Sequence, residues 1–265
     1  MAENILTVEN LNIAYQGVPA VMDVNFTLER GKVLTIVGES GSGKTTVIRA
    51  LMGLLPIGGE VTDGTMLFNG QDLRTLSKSE WRAIRGKDMA MIFQDSGSAL
   101  DPIVRIGKQF RELLKSHIEI TNDECDRRAI ELLESVSLPN GADILRRYPH
   151  ELSGGQRQRV GIAMALALDP ALLIGDEPTS ALDVTTQSQV VMQMLELAKE
   201  HNSAIVMVTH NLGVAAYMSD YIIVMKKGRV VDAGTPQDIL ENPSNEYTKQ
   251  LKDAVPTLEG GRYID

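Results

Sequence analysis

The chain contains the stretch Val33-Leu34-Thr35-Ile36-Val37-Gly38-Glu39-Ser40-Gly41-Ser42-Gly43-Lys44-Thr45. Its first five residues form a short apolar run after the turn residue Gly31, and such a run predicts a buried strand. Residues 43–54 then have the pattern of a helix. A strand, a glycine-rich turn and a helix in that order predict the start of an α/β unit. Residues 38–45 fit the phosphate-binding P-loop pattern in the context that supports such a match.

The glycines of this loop let the backbone curl so that its N–H groups point at phosphate oxygens. The N-terminus of the following helix adds a partial positive charge at the same place. Lys44 is expected to reach the β- and γ-phosphates of a nucleotide, and the Thr45 hydroxyl is expected to bind Mg²⁺. The alternative is a connecting loop rich in glycine and serine, which the full eight-residue match disfavours.

A second apolar strand, Leu172-Leu173-Ile174, ends in two carboxylates at Asp176 and Glu177. Asp176 at the strand end can hold Mg²⁺ directly or through water. Glu177 can then accept a proton from an attacking water molecule. An acidic turn after a core strand is the alternative, and the P-loop upstream favours the catalytic interpretation.

Two other polar residues also follow predicted strands. His210 follows Val206-Met207-Val208-Thr209, and Gln94 follows Met91-Ile92-Phe93. The carboxyl ends of parallel strands are where α/β proteins bind ligands, so His210 is expected near the γ-phosphate. The neutral amide of Gln94 can orient water and Mg²⁺. Each signal is weak alone, because a single histidine at such a position is more often structural.

The segment Leu152-Ser153-Gly154-Gly155-Gln156 precedes a predicted helix and has no lysine after its glycines, so it is not a second P-loop. Ser153 followed by two glycines and a helix makes another N-terminus that could bind an anion. A plain helix cap with a flexible lead-in explains the same residues, and physical reasoning alone does not choose between the two.

Strand and helix signals alternate along most of the chain, which predicts an α/β fold with a mostly parallel sheet covered on both faces. The segment at about 95–155 differs, because it has amphipathic helix patterns and few strand signals. It is therefore expected to be a helical subdomain inserted into the α/β core. Near the end, Lys226-Lys227-Gly228 between two apolar runs predicts a hairpin.

Composition limits the classes of function. The chain has 265 residues, a net charge of −9 and a sequence pI of about 5.0, a balance that argues against nucleic acid as a partner. The single cysteine, Cys125, fits a reducing compartment. No stretch approaches the roughly 18 apolar residues of a membrane span. Any role at a membrane is therefore expected to come through a partner.

In their order along the chain, these residues resemble the ATP-binding-cassette (ABC) ATPases over about residues 5–250. The segments that carry the resemblance are Gly38–Thr45 as Walker A, Gln94 as the Q-loop glutamine, Leu152–Gln156 as the unchanged signature, Ile174–Glu177 as Walker B with its catalytic glutamate, Ser180–Asp183 as the D-loop, and His210 as the switch histidine. Tyr15 occupies the place of the aromatic residue that stacks on adenine.

The resemblance implies one ATPase domain over 1–265: a P-loop NTPase core of a mostly parallel sheet with an antiparallel β subdomain, plus an inserted helical signature subdomain at about 95–155. It implies ATP and Mg²⁺ as ligands, bound between two cassettes that face each other head to tail. Nucleotide binding is assigned to Tyr15, Gly38, Glu39, Ser40, Gly41, Ser42, Gly43, Lys44, Thr45, Thr46, Ser153, Gly154, Gly155, Gln156 and Asp183, with Ser153 and Gly155 capping the γ-phosphate from the opposite subunit. Mg²⁺ is assigned to Thr45, Gln94 and Asp176, and catalysis to Glu177, His210 and Gln94.

A finer resemblance points to the importers of dipeptides, oligopeptides and nickel. It is carried by Ile92–Asp95, Tyr148–Glu151, Ala181–Thr185, Tyr247–Leu251 and Val255-Pro256, together with the P-loop. The subgroup implies a second cassette as partner, more often a different chain than an identical one, and transmembrane permease subunits. It also implies a substrate-binding protein that acts indirectly, and a peripheral location at the cytoplasmic face of the membrane.

Two other classes share part of this pattern. A soluble ABC-type ATPase of DNA repair or translation would usually carry paired cassettes or coiled-coil arms, which this sequence does not show. A P-loop kinase of a small molecule would lack Leu152–Gln156 and Asp183.

Overall fold

The computed structural model describes residues 3–94, 99–178 and 184–254, without the side chains of 184–190. Three expectations lie outside the described residues: the role of Asp183 with the rest of the Ser180–Asp183 segment, the start of the helical segment at 95–98, and the tail at Val255-Pro256.

Among the described strands, six have four to six residues, three have ten or twelve, and one has two. The strands are β1 (Asn4–Tyr15), β2 (Val18–Glu29), β3 (Val33–Val37), β4 (Gly59–Phe68), β5 (Gln71–Asp72), β6 (Met89–Ile92), β7 (Leu172–Asp176), β8 (Ala204–Thr209), β9 (Tyr221–Lys226) and β10 (Arg229–Gly234).

Most of the helices lie between these strands and fill much of the middle of the chain, and two follow the last strand. The helices are α1 (Lys44–Leu51), α2 (Lys78–Ile84), α3 (Ile106–Lys115), α4 (Asn122–Ser135), α5 (Gly141–Arg146), α6 (Gly154–Leu166), α7 (Val184–Glu200), α8 (Leu212–Met218), α9 (Pro236–Glu241) and α10 (Glu246–Asp253), with short 3₁₀ turns at Leu73–Thr75 and Pro149–Glu151. Across the described residues, no helix is both long and apolar enough to cross a membrane.

The chain divides into two compact units. The first consists of Met1–Ser77 and Ala204–Asp265, and the second of Lys78–Ser203. The predicted helical segment belongs to the second unit, which also contains β6 and β7. Whether residues of about 95–155 form a subdomain of their own stays a prediction.

The first unit contains two sheets. One is antiparallel in the order β2-β1-β4-β5. In the other, β3 lies between β8 and β9 and is parallel to both, and β10 pairs antiparallel with the outer side of β9. The predicted α/β fold with an antiparallel β subdomain is confirmed.

The strand β3 is apolar because it lies in the core of the first unit. Leu34, Ile36 and Val37 of β3 are fully buried, and so are Val47 and Ile48 of α1. Each such side chain contributes roughly 1.5–3 kcal/mol when it is removed from water. The strand and helix on either side of the P-loop are therefore firmly anchored.

The predicted hairpin near the end of the chain is present. Lys227 and Gly228 connect β9 to β10 with φ angles of 49° and 78°. Two consecutive left-handed residues form the type of turn that matches the twist of the flanking strands.

The second unit combines a parallel strand pair with packed helices. In it, β6 runs parallel to β7, with Ile92 opposite Gly175. Phe110 of α3 and Leu133 of α4 are fully buried. Cys125 on α4 is also fully buried, and desolvation raises the pKa of its thiol.

Candidate functional site

The P-loop begins where β3 ends at Val37 and is completed by the first turn of α1. A Cβ atom on Gly38 would lie 2.2 Å from the Met225 carbonyl oxygen and 2.7 Å from Ser42 Oγ, so only glycine fits there. Gly41 and Gly43 have φ angles of 79° and 103°, which other residues rarely adopt. The structure therefore forms the curled loop that the sequence predicted.

Lys44 lies inside this loop and is only 5% exposed. Its Nζ donates hydrogen bonds to the carbonyl oxygens of Gly38 at 2.7 Å and Glu39 at 2.8 Å. The ammonium group is thus held by the loop that is expected to bind phosphate. Glu39 and Ser40 on the outer part of the loop are exposed.

Other atoms of the loop also suit an anionic ligand. Ser42 is 1% exposed, and within the described part of the chain its Oγ makes no hydrogen bond. A buried hydroxyl of this kind normally has a partner. The first turn of α1 carries no acidic side chain, so the positive end of the helix dipole is not neutralised there. Thr45 and Thr46, both half-buried, lie in that turn.

Tyr15 is the last residue of β1 and lies beside α1. Its Oη is 3.5 Å from Thr46 Oγ1. Its ring packs on Gly59, where a Cβ atom would come within 2.6 Å of the ring. The structure thus brings a half-buried aromatic ring next to the P-loop helix.

His210 leaves the sheet next to the P-loop. Val37 of β3 pairs with Thr209 of β8 in a parallel arrangement. Gly38 and His210 therefore follow the carboxyl ends of two neighbouring strands. His210 is exposed, and Asn211 after it caps α8 by accepting a hydrogen bond from the Val214 N–H. The first unit therefore places Tyr15, the P-loop and His210 together at the ends of adjacent elements.

The second unit brings Gln94 and Glu177 together. They follow β6 and β7, which run in parallel. Gln94 Nε2 donates to Glu177 Oε2 at 3.4 Å, a long hydrogen bond. The predicted Q-loop glutamine and the predicted base are thus in contact.

The two carboxylates after β7 differ in their surroundings. Asp176 is 5% exposed and is the last residue of the strand. Glu177 is half-buried and has a φ angle of 45°, in the left-handed region. This conformation costs a non-glycine residue about 1 kcal/mol or more, and such strain concentrates at functional sites.

Gln158 on α6 is a residue that the sequence interpretation missed. It is 2% exposed, and its Nε2 donates to the carbonyl oxygen of Phe93 at 3.4 Å and to that of Pro178. Phe93 precedes Gln94, and Pro178 follows Glu177, so one buried amide holds the backbone next to both. A single glutamine in a helical pattern gives no sequence signal for this role.

Ser153 caps α6, the helix of the signature segment. Its Oγ accepts a hydrogen bond from Gln156 N at 3.2 Å, while Gln156 Oε1 accepts one from Ser153 N at 2.9 Å. This reciprocal pair is a capping box. Apart from the adjoining residues and the backbone of α6 itself, the nearest described atom to a Cβ on Gly154 would be Arg157 Nη2 at 4.0 Å. The first turn of α6 has no acidic residue. The cap is present, and binding of an anion at this end stays a prediction.

Each residue expected to bind Mg²⁺ has a side-chain oxygen, the type of ligand that this ion prefers. They are the Thr45 hydroxyl in the first unit, and the Gln94 amide and Asp176 carboxylate in the second. Over residues 3–94, 99–178 and 184–254, no group of three or more His, Cys, Asp or Glu residues could hold a metal ion unaided. Mg²⁺ usually keeps several waters and is bound through one or two carboxylates together with substrate phosphates, so oxygen ligands of these types suit it.

Comparison with known proteins identifies the family of this chain. The family described as ABC transporter matches residues 21–180. A dipeptide transport ATP-binding protein of Lactococcus lactis subsp. cremoris is 46% identical over 262 residues, which cover 97% of this chain and 75% of that protein. An oligopeptide transport ATP-binding protein of Bacillus subtilis is 45% identical over 260 residues, covering 96% and 73%.

The solved structures that resemble this chain are also ABC transporter cassettes. A dimeric bacterial ABC transporter cassette has a TM-score of 0.79 and 29% identity, covering 87% of this chain and 98% of that one. A dimeric post-hydrolysis cassette bound to ADP and Pi has a TM-score of 0.78 and 28% identity over the same shares. A Clostridium perfringens cassette, described as part of the ABC transporter complex cbiONQ, has a TM-score of 0.76 and 28% identity, covering 91% and 92%.

A P-loop at residues 38–45, together with a strand that ends in the carboxylates of Asp176 and Glu177, is typical of a nucleotide-hydrolysing protein. The chain belongs to the ABC transporter family, and it is an ATP-binding cassette with ATPase activity.

Proposed function

We propose that this chain is the ATP-binding subunit of a binding-protein-dependent importer of dipeptides or oligopeptides. The cargo is inferred from the relatives, which are named for dipeptide, oligopeptide and glutathione import at 42–46% identity. Nickel, the other cargo that the sequence resemblance allowed, is named for none of them.

The observation that carries the catalytic part is the pair of residues after parallel strands, Gln94 and Glu177, in hydrogen-bond contact. Glu177 is the proposed general base: its carboxylate takes a proton from the attacking water. Gln94 orients this carboxylate and the water, and His210 contacts the γ-phosphate. Gln158 keeps the backbone beside Gln94 and Glu177 in place.

Nucleotide binding is assigned to the first unit. Tyr15 stacks on adenine, and the backbone N–H groups of residues 43–46 surround the phosphates. Lys44 Nζ keeps its hydrogen bonds to the carbonyl oxygens of Gly38 and Glu39 and also contacts the phosphate oxygens. In phosphoryl transfer the protein mainly positions groups and neutralises charge, and these residue types do both.

Thr45, Gln94 and Asp176 are the proposed protein ligands of Mg²⁺. When bound, the ion neutralises negative charge on the β- and γ-phosphates. Among the proposed ligands, the buried Asp176 carboxylate supplies a negatively charged oxygen to the positive ion. The Thr45 hydroxyl and the Gln94 amide supply neutral oxygens.

The working form is proposed to be a head-to-tail dimer of cassettes. Ser153, Gly154, Gly155 and Gln156 of one cassette, with Asp183, cap the nucleotide held by the other. Closure drives a separate transmembrane permease, which receives cargo from a substrate-binding protein. The partner cassette is proposed to be a different chain, and the complex is placed at the cytoplasmic face of the membrane. The relatives' transport names favour this over a soluble ATPase of DNA repair or translation.

A test combines uptake and hydrolysis measurements on Glu177→Gln. The amide is nearly isosteric, so the variant should bind ATP normally, but hydrolysis should fall by at least about 10²-fold because the base is lost. In cells that lack their own copy, wild type should restore uptake of labelled dipeptide or oligopeptide, and Glu177→Gln should not.

Glu196→Gln is the matched control, because Glu196 is an exposed carboxylate on α7, and it should behave as wild type. Hydrolysis by Glu177→Gln at the wild-type rate would contradict the catalytic assignment. Restoration of labelled nickel uptake without peptide uptake would contradict the cargo and leave the ATPase assignment standing.

A further inference from the structure

The C-terminal helix α10 contacts the P-loop through one tyrosine. Tyr247 is 7% exposed, and its Oη accepts a hydrogen bond from the backbone N–H of Glu39 at 2.9 Å. We propose that Tyr247 is a positioning residue for nucleotide binding, through which α10 holds the P-loop in its binding conformation. This inference rests on the proposed function of the P-loop.

Glu39 connects Tyr247 to Lys44 through its backbone. Its N–H is held by Tyr247, and its carbonyl oxygen accepts hydrogen bonds from Lys44 Nζ at 2.8 Å and from Ser42 N at 3.2 Å. Fixing the amide of this residue therefore fixes a carbonyl that orients the phosphate-binding ammonium group.

Tyr247 is itself held by a network that starts in β10. The Asp232 carboxylate accepts hydrogen bonds from Ser244 N at 3.0 Å, Ser244 Oγ at 2.7 Å and Asn245 N at 3.2 Å. Asn245 then caps α10, its Oδ1 accepting from Tyr247 N at 2.9 Å. Asp232 is only 9% exposed, so these charge-assisted bonds lie largely out of water and fix the start of the helix.

The ring of Tyr247 is fixed as well. It packs in an apolar cluster with Val37, the last residue of the strand before the P-loop, and with Leu212 and Ile239. The Lys226 ammonium group lies 4.3 Å from the ring centroid. Burial raises the pKa of Tyr247, so the hydroxyl stays neutral over the physiological range. With ring and hydroxyl both restrained, the hydrogen bond to Glu39 is formed in advance of nucleotide binding.

A loop that is ordered in advance loses less entropy when it binds its ligand, and the gain appears as affinity. The contact is made to a part of the loop that carries the lysine and not to the reacting atoms. Tyr247 is therefore expected to affect ATP affinity and to leave the hydrolytic step at saturation unchanged.

Tyr247→Phe tests this, because it removes only the hydroxyl and keeps the ring, its apolar packing and its contact with Lys226. The Kd of a fluorescent ATP analogue and the KM for ATP should rise about three- to tenfold, the factor that corresponds to one ordinary hydrogen bond. The kcat should stay within about twofold of wild type. Hydrogen exchange at the Glu39 amide, measured without nucleotide, should become faster.

Tyr221→Phe is the matched control, because Tyr221 starts β9 in the same unit and is 39% exposed, and it should change none of these values. Ser244→Ala removes one hydrogen bond to Asp232 and should raise the KM in the same direction by a smaller factor, which keeps the test open if Tyr247→Phe folds poorly. An unchanged ATP affinity in Tyr247→Phe, with wild type binding normally, would overturn the inference alone. Failure of wild type to bind ATP would refute the proposed function and the inference together.

Discussion

Lys44 shows how much of this site depends on single residues. It is a nearly buried cation whose partners include two carbonyl oxygens of its own loop, those of Gly38 and Glu39. A charged phosphate is a stronger partner for a buried ammonium group than neutral carbonyl oxygens are. We therefore expect the charge of Lys44 to contribute strongly to nucleotide affinity.

Lys44→Ala is therefore expected to weaken binding of a fluorescent ATP analogue by about 10- to 100-fold, the range for loss of a hydrogen bond to a charged group. Lys87→Ala changes an exposed lysine and should have no effect. If Lys44→Ala binds as tightly as Lys87→Ala, residues 38–45 are only a connecting loop.

The residue scale also shows what sequence reasoning recovers. Residues 38–45, Asp176 and Glu177 could be predicted because each belongs to a short local pattern at the end of an apolar strand. Gln158 and Tyr247 could not be assigned roles, since their hydrogen bonds reach residues 65 and 208 positions away. Such contacts depend on tertiary packing and leave no local pattern.

At the scale of elements, the helix α6 begins with a capping box formed by Ser153 and Gln156. The capping box of Ser153 and Gln156 stabilises the helix whether or not Ser153 ever contacts a nucleotide. The capping role and the proposed trans-acting role can be separated, because aspartate caps a helix as well as serine does but carries a negative charge.

Ser153→Asp should keep the thermal stability of the wild type and lose ATP-induced dimerisation, because its carboxylate would repel the γ-phosphate of the opposite nucleotide. Ser153→Ala should lose about 1 kcal/mol of stability, a fall in Tm of roughly 2–4 °C, through the missing cap. Thermal denaturation and light scattering with ATP and Mg²⁺, on the Glu177→Gln background, measure the two effects. Dimerisation of Ser153→Asp at the parent level would leave Ser153 with a structural role only.

Elements were predicted well in kind and less well in extent. The helix predicted at 43–54 ends at Leu51, because Gly53 has a φ angle of 61° and leaves the helical region. The strand predicted at 172–174 extends through Asp176, which puts this carboxylate inside the sheet. Apolar runs reveal where an element lies, but its last residues depend on backbone angles and on neighbouring strands.

At the scale of the whole molecule, the proposed site residues are divided between the two units. The first contains Tyr15, the P-loop and His210, and the second contains Gln94, Ser153, Asp176 and Glu177. The sequence alone suggested these residues, because each belongs to a short motif and the motifs follow one another in the order typical of the family. The boundary of the second unit at Lys78 carries no comparable signal, since it depends on contacts between distant parts of the chain.

A mixing experiment tests the dimer as a whole. Ser153→Arg should bind ATP as a monomer but fail to form the closed dimer, because its bulk blocks the close approach that Gly154 and Gly155 permit. If homodimers form, mixing it with inactive Lys44→Ala chains should restore part of the ATPase activity, since each mixed dimer has one intact composite site. Mixtures no more active than either variant alone would contradict a trans-acting signature.

The buried position of Cys125 has a practical consequence for observing closure directly. It is the only cysteine in the sequence, no part of it is exposed, and its raised pKa leaves little of the reactive thiolate. A maleimide dye or spin label should therefore react with a cysteine introduced at a surface position such as Glu196 and leave Cys125 unmodified. Distances between labelled subunits can then be followed during an ATP cycle in a chain whose native thiol is still in place.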